Sequence, residues 1–353
     1  MFLSSLRALV YEPLLMRLGD ISVGYLYSLQ AALTHLGHDP APLFMRFRID
    51  AELLATPQAR ISIPRFMRLG NAAIQLTGRP DIGLLMGRHS HASHLGLAGM
   101  TAQCAADLTQ AFSTLIRFER LSSHNYRGHS SFAPPALRFY SISPYNAFNL
   151  FVVDSALSSR AQLGHHLTAG NARLAAVHIE FPAPDYAEQY EAQFDCPVLF
   201  EQEHNQLVWD PASLRLPLVQ RAPASFRHLA SLCDAQLHDL NRQRGLREKV
   251  EEILSPQLHQ RLPTLTEVAR TLGLPSWTLR RRLQQEEQTR FQDIIDDTRQ
   301  DLAVSYIRDT ELALGEIAFL LGFSSPGAFQ RAFKRWTGEP PGQFRRQQRR
   351  ASN

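Results

Sequence analysis

The sequence predicts two domains of different class, an α+β N-terminal domain followed by an all-α C-terminal domain built as a double helix-turn-helix. Three observations predict this. Period-two alternation, the mark of a half-buried strand, occurs only upstream of Asp210. From Arg242 onward, apolar residues recur at helical spacing alone. Within that helical part, a stretch repeats itself at an offset of 49 to 50 residues.

Composition sets the frame. A chain of 353 residues, 44% hydrophobic and 20% charged, suits two domains, each with its own core. No run of about eighteen uncharged apolar residues occurs, so no membrane partner is expected. The opening Met1-Phe2-Leu3-Ser4-Ser5-Leu6-Arg7 lacks a basic start followed by a long apolar run, and no secretion signal is expected. Cys104, Cys196 and Cys233 are odd in number and far apart, forming neither a disulfide framework nor a zinc pattern. They fit a reducing cytoplasm as small apolar residues. Charge is divided unevenly. Residues 241–353 hold 19 Lys and Arg against 14 Asp and Glu, whereas residues 1–240 hold 18 against 19. All the excess positive charge lies in the last third, the sign that a phosphate backbone selects and that a solvated basic face would also carry.

The N-terminal domain, residues 1–215, reads as mixed. Residues 23–36 carry a helical stripe from Val23 to Leu36 closed by Gly37. Pro64 starts a second helix that runs to Thr77 before Gly78. A third is expected from Asp107 to about Leu121, and a long, largely buried one over Asn146–Leu167. Ala136–Ile142, Ala175–Phe181 and Val198–Glu201 read as strands. His204-Asn205-Gln206 then turns the chain so that Leu207-Val208-Trp209 can return as a hairpin partner. Pro211, Pro217 and Pro223 mark a boundary, and residues 216–244 read as a linker with an amphipathic helix. Its stripe of Phe226, Leu229, Ala230, Cys233, Leu237 and Leu240 suits either docking on the N-terminal domain or pairing with a second subunit.

The repeat lies in residues 245–353. Over 264–291, Glu267-Val268-Ala269 precedes Leu272-Gly273-Leu274, then Leu279, Arg281 and Leu283. Over 313–344, Glu316-Ile317-Ala318 precedes Leu321-Gly322-Phe323, then Phe329, Arg331 and Phe333. Each copy reads as a helix, a turn at glycine and a second helix with inward residues at i, i+4. Between them, residues 291–308 have Ile294, Ile295, Thr298, Leu302, Ala303 and Ile307 along one side. A helix of that length is a rod of about 27 Å, able to hold two recognition helices roughly one DNA turn apart.

The outward face of the first recognition helix carries Trp277, Thr278, Arg280, Arg281, Arg282 and Gln284. Arginine's fork grips guanine O6 and N7, glutamine does the same for adenine, and Trp277 suits a thymine methyl or sugar edge. In the second, Ser325 suits a cap and Pro326 the first turn, after which Gln330, Arg331, Lys334 and Arg335 offer groove and phosphate contacts. Each arginine has a competing internal use, pairing with Glu286, Glu287 or Glu339. The pattern points to double-stranded DNA.

Residues 264–345 resemble the AraC/XylS family of bacterial transcription regulators. The most specific part is Glu316-Ile317-Ala318 through Gly322-Phe323-Ser324, with Phe329, Arg331, Phe333, Lys334, Gly338 and Pro341. Arg299 and Ala303 match the family's linker-helix arginine and following small residue. The resemblance implies base contacts at Trp277, Arg280 and Arg281, and at Gly327, Gln330 and Arg331. Two positions depart from the pattern. Gln288 stands where the first module often has glycine, and Pro326-Gly327 removes long polar side chains from the second helix start, which implies weaker base reading there. Residues 20–215 are similar to the arabinose-binding-like domain of ornithine-utilisation-type regulators. Ile61-Ser62-Ile63-Pro64, Asp81-Ile82-Gly83-Leu84, Gly96-Leu97-Ala98-Gly99 and Cys196-Pro197-Val198-Leu199-Phe200 carry that likeness.

The expected function is a sequence-specific transcription regulator acting at promoter DNA, with RNA polymerase, a small-molecule effector and a homodimer as implied partners. The alternative is a constitutive dimer whose N-terminal domain only mediates protein interaction. No cofactor and no catalytic residue are expected, since no Gly-x-Ser-x-Gly, His-Glu-x-x-His or phosphate loop occurs. His89, His91 and His94 read as a loop cluster without metal-ligand spacing. His165 and His166 suit the dipole at a helix end, and Arg345, Arg346, Arg349 and Arg350 read as a solvated basic tail.

Overall fold

A 21-residue helix, Ala147–Leu167, organises the N-terminal part of the chain. In this computed structural model, the described residues are 19–352 apart from 57, 126–127, 142–144, 146, 243–244, 260 and 311. Contacts divide the chain into one unit over residues 19–243 and another that begins at residue 244. No helix among the described residues is long and apolar enough to cross a membrane.

The central helix separates two cores. One gathers Trp209, Phe112, Tyr190, Phe194 and Leu207 against Val153, Leu157 and Ala161 of that helix. The other gathers Leu26, Leu29, Phe66 and Leu69 against its Phe151. Each large side chain so buried contributes about 1.5–3 kcal/mol. Close packing here depends on missing side chains. The helix Ile82–Arg88 lies along the central helix, and a Cβ at Gly83 would stand 2.8 Å from both Phe151 O and Asp154 Cβ, while one at Gly87 would collide with Ser158. Asp154, fully buried, accepts hydrogen bonds from the hydroxyls of Tyr186, at 2.9 Å, and Tyr190.

Two sheets flank these helices. Strands β1 (Gly19–Ser22), β2 (Arg60–Ser62) and β3 (Ser123–Asn125) form an antiparallel sheet in the order β2-β1-β3, with Ile21 opposite Ile61. Strands β4 (Ser131–Ala133), β5 (Ala136–Arg138), β6 (Leu174–His178), β7 (Val198–Leu199) and β8 (Gln206–Trp209) form the other, in the order β4-β5-β8-β6-β7.

Several sequence expectations need correction. β8 is not a hairpin partner of β7; it lies between β5 and β6, and β7 runs parallel to β6 at the edge. Leu207 and Trp209 are fully buried, and an interior strand gives their side chains that burial. The helix expected over 107–121 stops at Arg117. Phe118 leaves helical geometry and is buried, and a separate short helix, Glu119–Ser122, follows. The strand expected over 136–142 ends at Arg138, and residue 142 lies outside the described residues. The helix starting at Pro64 holds, with Ser62 accepting from the Arg65 amide at 3.3 Å and Gly78 closing it at φ 65°.

The amphipathic helix is Pro223–Arg242. It packs on the helices Gly96–Gln103 and Glu119–Ser122, burying Cys233 beside Ala98 and Phe118. Its stripe docks internally through Cys233, with Leu237 and Phe226 half-buried beside it.

In the second unit, every regular element among the described residues is helical. The order is Leu246–Leu254, Leu265–Thr271, Ser276–Glu286, Phe291–Asp309, Leu314–Leu320, Pro326–Thr337 and Pro341–Ser352, with one 3-10 turn at Ser255–Gln257.

Candidate nucleic-acid interface

The first module begins with Leu265–Thr271. Thr264 and Glu267 cap it reciprocally: the Thr264 hydroxyl accepts from the Glu267 amide at 3.3 Å, and the Glu267 carboxylate accepts from the Thr264 amide at 2.7 Å. Those bonds and Arg261 hold the Glu267 carboxyl down at about 2. Gly273, at φ 67°, turns the chain into the recognition helix Ser276–Glu286. Leu279 and Leu283 enter a core with Val268, Ala269, Val250, Leu254, Ile294 and Ile295. Their burial fixes which face is free.

That face carries the expected residues. Trp277 is 64% exposed, and the Arg281 guanidinium lies over its ring, 5.5 Å from the centroid. Arg280, Arg281 and Gln284 are exposed, and Thr278 is half-buried. Arg282 is committed elsewhere, paired with Glu286 at 2.8 Å along the helix. Glu287, offered by sequence as an arginine partner, instead accepts from the Leu246 amide at 2.9 Å and caps the start of the helix Leu246–Leu254.

The linker helix Phe291–Asp309 buries Ile294, Thr298, Leu302, Ala303, Tyr306 and Ile307. Its Arg299 reaches the second module. Nε donates to Leu321 O at 3.1 Å, and the guanidinium stacks 5.6 Å from the Phe323 ring centroid. Burial lowers its pKa from the ordinary arginine value, and it remains a cation. Arg299 thus closes the end of Leu314–Leu320, where carbonyls lack helical partners.

The second module repeats the plan with different closing contacts. Gly322 turns at φ 71°, and a Cβ there would collide with Leu258 O. Ser325 accepts from the Ala328 amide at 3.2 Å and starts Pro326–Thr337, which Gly338 ends at φ 85°. Phe329 and Phe333 are fully buried. Gly327, Gln330, Arg331, Lys334 and Arg335 all lie on the exposed side. Among the described residues, Arg280, Arg281, Gln330, Arg331, Lys334 and Arg335 make no hydrogen bond or ion pair with another side chain. One tail expectation fails. Arg345 is half-buried; it donates to Leu312 O at 2.6 Å and ties the last helix to the segment after the linker helix.

Two units of this kind have known counterparts. Residues 37–218 match the family described as the arabinose-binding domain of AraC transcription regulators, and residues 268–347 match a helix-turn-helix domain. The chain belongs to the AraC family of transcription regulators. Its relatives agree in length as well as kind. The ornithine utilization regulator of Pseudomonas aeruginosa is 29% identical over 336 residues, covering 95% of this chain and 98% of the relative. The HTH-type transcriptional regulator VirS of Mycobacterium tuberculosis is 26% identical over 317 residues, covering 89% and 92%. Among solved structures, the transcriptional regulator CdpR of Pseudomonas aeruginosa aligns over 92% of this chain and 98% of its own, at 23% identity and a TM-score of 0.44. By its two family matches, this AraC-family chain is a DNA-binding transcription regulator.

Sequence reasoning did not find the closing contacts. Glu287 on the Leu246 amide and Arg345 on Leu312 O join residues 41 and 33 positions apart, and no local pattern announces such pairs. Nor did it find the cavity in the first unit that His94 lines.

Proposed function

We propose that this chain is a sequence-specific regulator whose first module reads bases and whose second mainly positions the protein on phosphate. The observation that carries this reading is the contrast between two exposed helix starts. The first presents Trp277, Thr278, Arg280 and Arg281 within its first six residues, and the second opens with Pro326 and Gly327. Arginine and glutamine supply base-edge recognition in the major groove. Lys334 and Arg335, near the end of the second helix, suit phosphate oxygens. The 19-residue linker helix spans about 28 Å, which suits two segments about one turn apart on one DNA face.

Control by a small-molecule effector through the first unit is part of this proposal. So are RNA polymerase as the partner at the promoter, a homodimeric state and a cytoplasmic location. The reader spans residues 245–353, the linker 216–244 and the sensing domain 1–215. An effector shifts DNA binding only by favouring one arrangement over another. A second reading, a constitutive dimer with no effector, draws support from Met100 and Leu232. These apolar side chains are 42% and 43% exposed on two helices that pack together.

Selection of bound sites from random-sequence DNA tests the base-reading asymmetry. The expected logo has strong preferences over one half of the site and weak ones over the other. Equal information in both halves contradicts it. An equilibrium DNA affinity that no metabolite extract alters favours the constitutive dimer.

A further inference from the structure

A narrow cavity in the first unit lies beside the central helix, between the two cores. Phe112, Leu115, Leu137 and Leu163 form an apolar wall, and Ser28, Ser90, His94 and Ser159 line a polar side. It is open to solvent at its mouth, and the region spans about 650 Å³ with that solvent included.

The charges that line it are already satisfied. Arg160 pairs with Glu119 at 3.4 Å, donates to Ala156 O at 3.2 Å and Ser130 Oγ at 3.4 Å, and stacks 4.9 Å from the Phe139 ring centroid. Glu119 also accepts from the Ser130 amide at 3.1 Å. The two opposite charges offset each other, so an ionised ligand buried here would meet no free counter-charge.

The polar side ends differently. Ser159, Ser90 and Ser28 form a hydrogen-bonded row at 2.7 and 3.1 Å, and Ser28 Oγ stands 2.9 Å from His94 Nδ1. The His91 backbone amide also donates to Nδ1, at 3.4 Å. An amide has only a proton to give, so Nδ1 is the acceptor nitrogen and the ring proton resides on Nε2. Burial, with His91 nearby, pushes the imidazole down to about 4, so it is neutral at physiological pH. Nε2–H has no hydrogen-bond partner among the described residues.

We propose that this cavity binds a small uncharged amphiphilic molecule, its apolar body against Phe112 and Leu163 and an oxygen acceptor on His94 Nε2–H. The site stands independently of effector control; its regulatory consequence rests on that reading. Because the cavity is narrow, an occupant parts the walls contributed by the central helix and by Leu108–Arg117, which is how it would favour a different arrangement of the unit.

The test uses the full chain with three probes of equal length: hexan-2-one, hexanoate and hexylamine. Binding is followed by thermal unfolding and by titration calorimetry, and DNA affinity is measured in the same samples. Hexan-2-one is expected to bind and raise Tm, with the two ions at least about tenfold weaker. His94→Phe is expected to weaken ketone binding about tenfold, and His94→Gln, which keeps an N–H donor, to restore most of it. Both variants are checked for native Tm without probe, and Leu163→Phe, which narrows the apolar end, gives an independent loss. Tighter binding of hexanoate or hexylamine overturns the charge argument. No ketone binding to a folded, DNA-competent chain overturns the site. Ketone binding that leaves DNA affinity unchanged keeps the site and removes the effector reading, whereas an extract that shifts DNA affinity without competing for this cavity does the reverse.

Discussion

Arg281 lies over Trp277 on the open face of the first recognition helix, its guanidinium 5.5 Å from the ring centroid. The two are one helical turn apart, and Arg281 has no ion-pair partner among the described residues. Stacking on the indole restricts the guanidinium before DNA arrives, so less rotamer freedom is lost on binding. Arg281→Ala is expected to cost about 1–3 kcal/mol of binding and to relax preference at one base pair. Trp277→Ala weakens binding and broadens that same position. A double-mutant cycle on DNA affinity, with a coupling of about 0.5–1 kcal/mol, checks the partnership. Full additivity contradicts it.

Lys334 acts on phosphate under the proposed reading. Lys334→Ala therefore weakens specific and random DNA alike and reduces the slope of log affinity against log salt by about one. A loss confined to one base position, found by measuring the variant on single-substituted sites, would assign Lys334 to base reading instead.

Gly322 joins the second module to the rest of the reader. It combines φ 71° with a close approach to Leu258 O that leaves no room for a Cβ. Gly322→Ala is expected to destabilise the C-terminal unit by about 2–4 kcal/mol. Gly273, at φ 67° but with nothing within 4 Å of its would-be Cβ, is expected to tolerate alanine at about 1 kcal/mol. Denaturant midpoints of the two variants compare them directly. An equal loss at both positions would show that backbone conformation, not crowding, sets the cost.

These two glycines also mark how far the sequence can be read. Both are visible in the repeat, and so are the inward residues Leu279, Leu283, Phe329 and Phe333, because helical periodicity and turn chemistry are local properties. Trp277, Arg280 and Arg281 followed from the same periodicity, since the side opposite a buried stripe is open. The pairing of Arg282 with Glu286 was one of two options that spacing left open. The interior place of β8 was not legible, because strand order depends on partners dozens of residues away and a short run such as Gln206–Trp209 carries no register information. The row from Ser159 to His94 was hidden for the same reason: it joins three helices and a loop whose residues share no pattern.

Asp154 sets a pH dependence for the first unit. Burial raises its carboxyl to about 7, against the lowering effect of the bonds from Tyr190 and Tyr186. The folded state therefore keeps a proton that the unfolded chain releases near 4, so stability falls as pH rises from about 4 to about 7 and levels off above. Asp154→Asn, neutral throughout, is expected to flatten that part of the curve. Urea midpoints at several pH values check it; an unaltered slope in the variant would place the dependence on other groups.

The most direct test of the central claim is a footprint of the purified full chain on the DNA upstream of its own gene, at a fixed salt concentration. Two protected major-groove segments, about one helical turn apart on one face, are predicted, with Arg281→Ala weakening protection of one segment first. Protection of a single segment, or uniform protection without sequence preference, would contradict a reader built from two spaced modules on one linker helix.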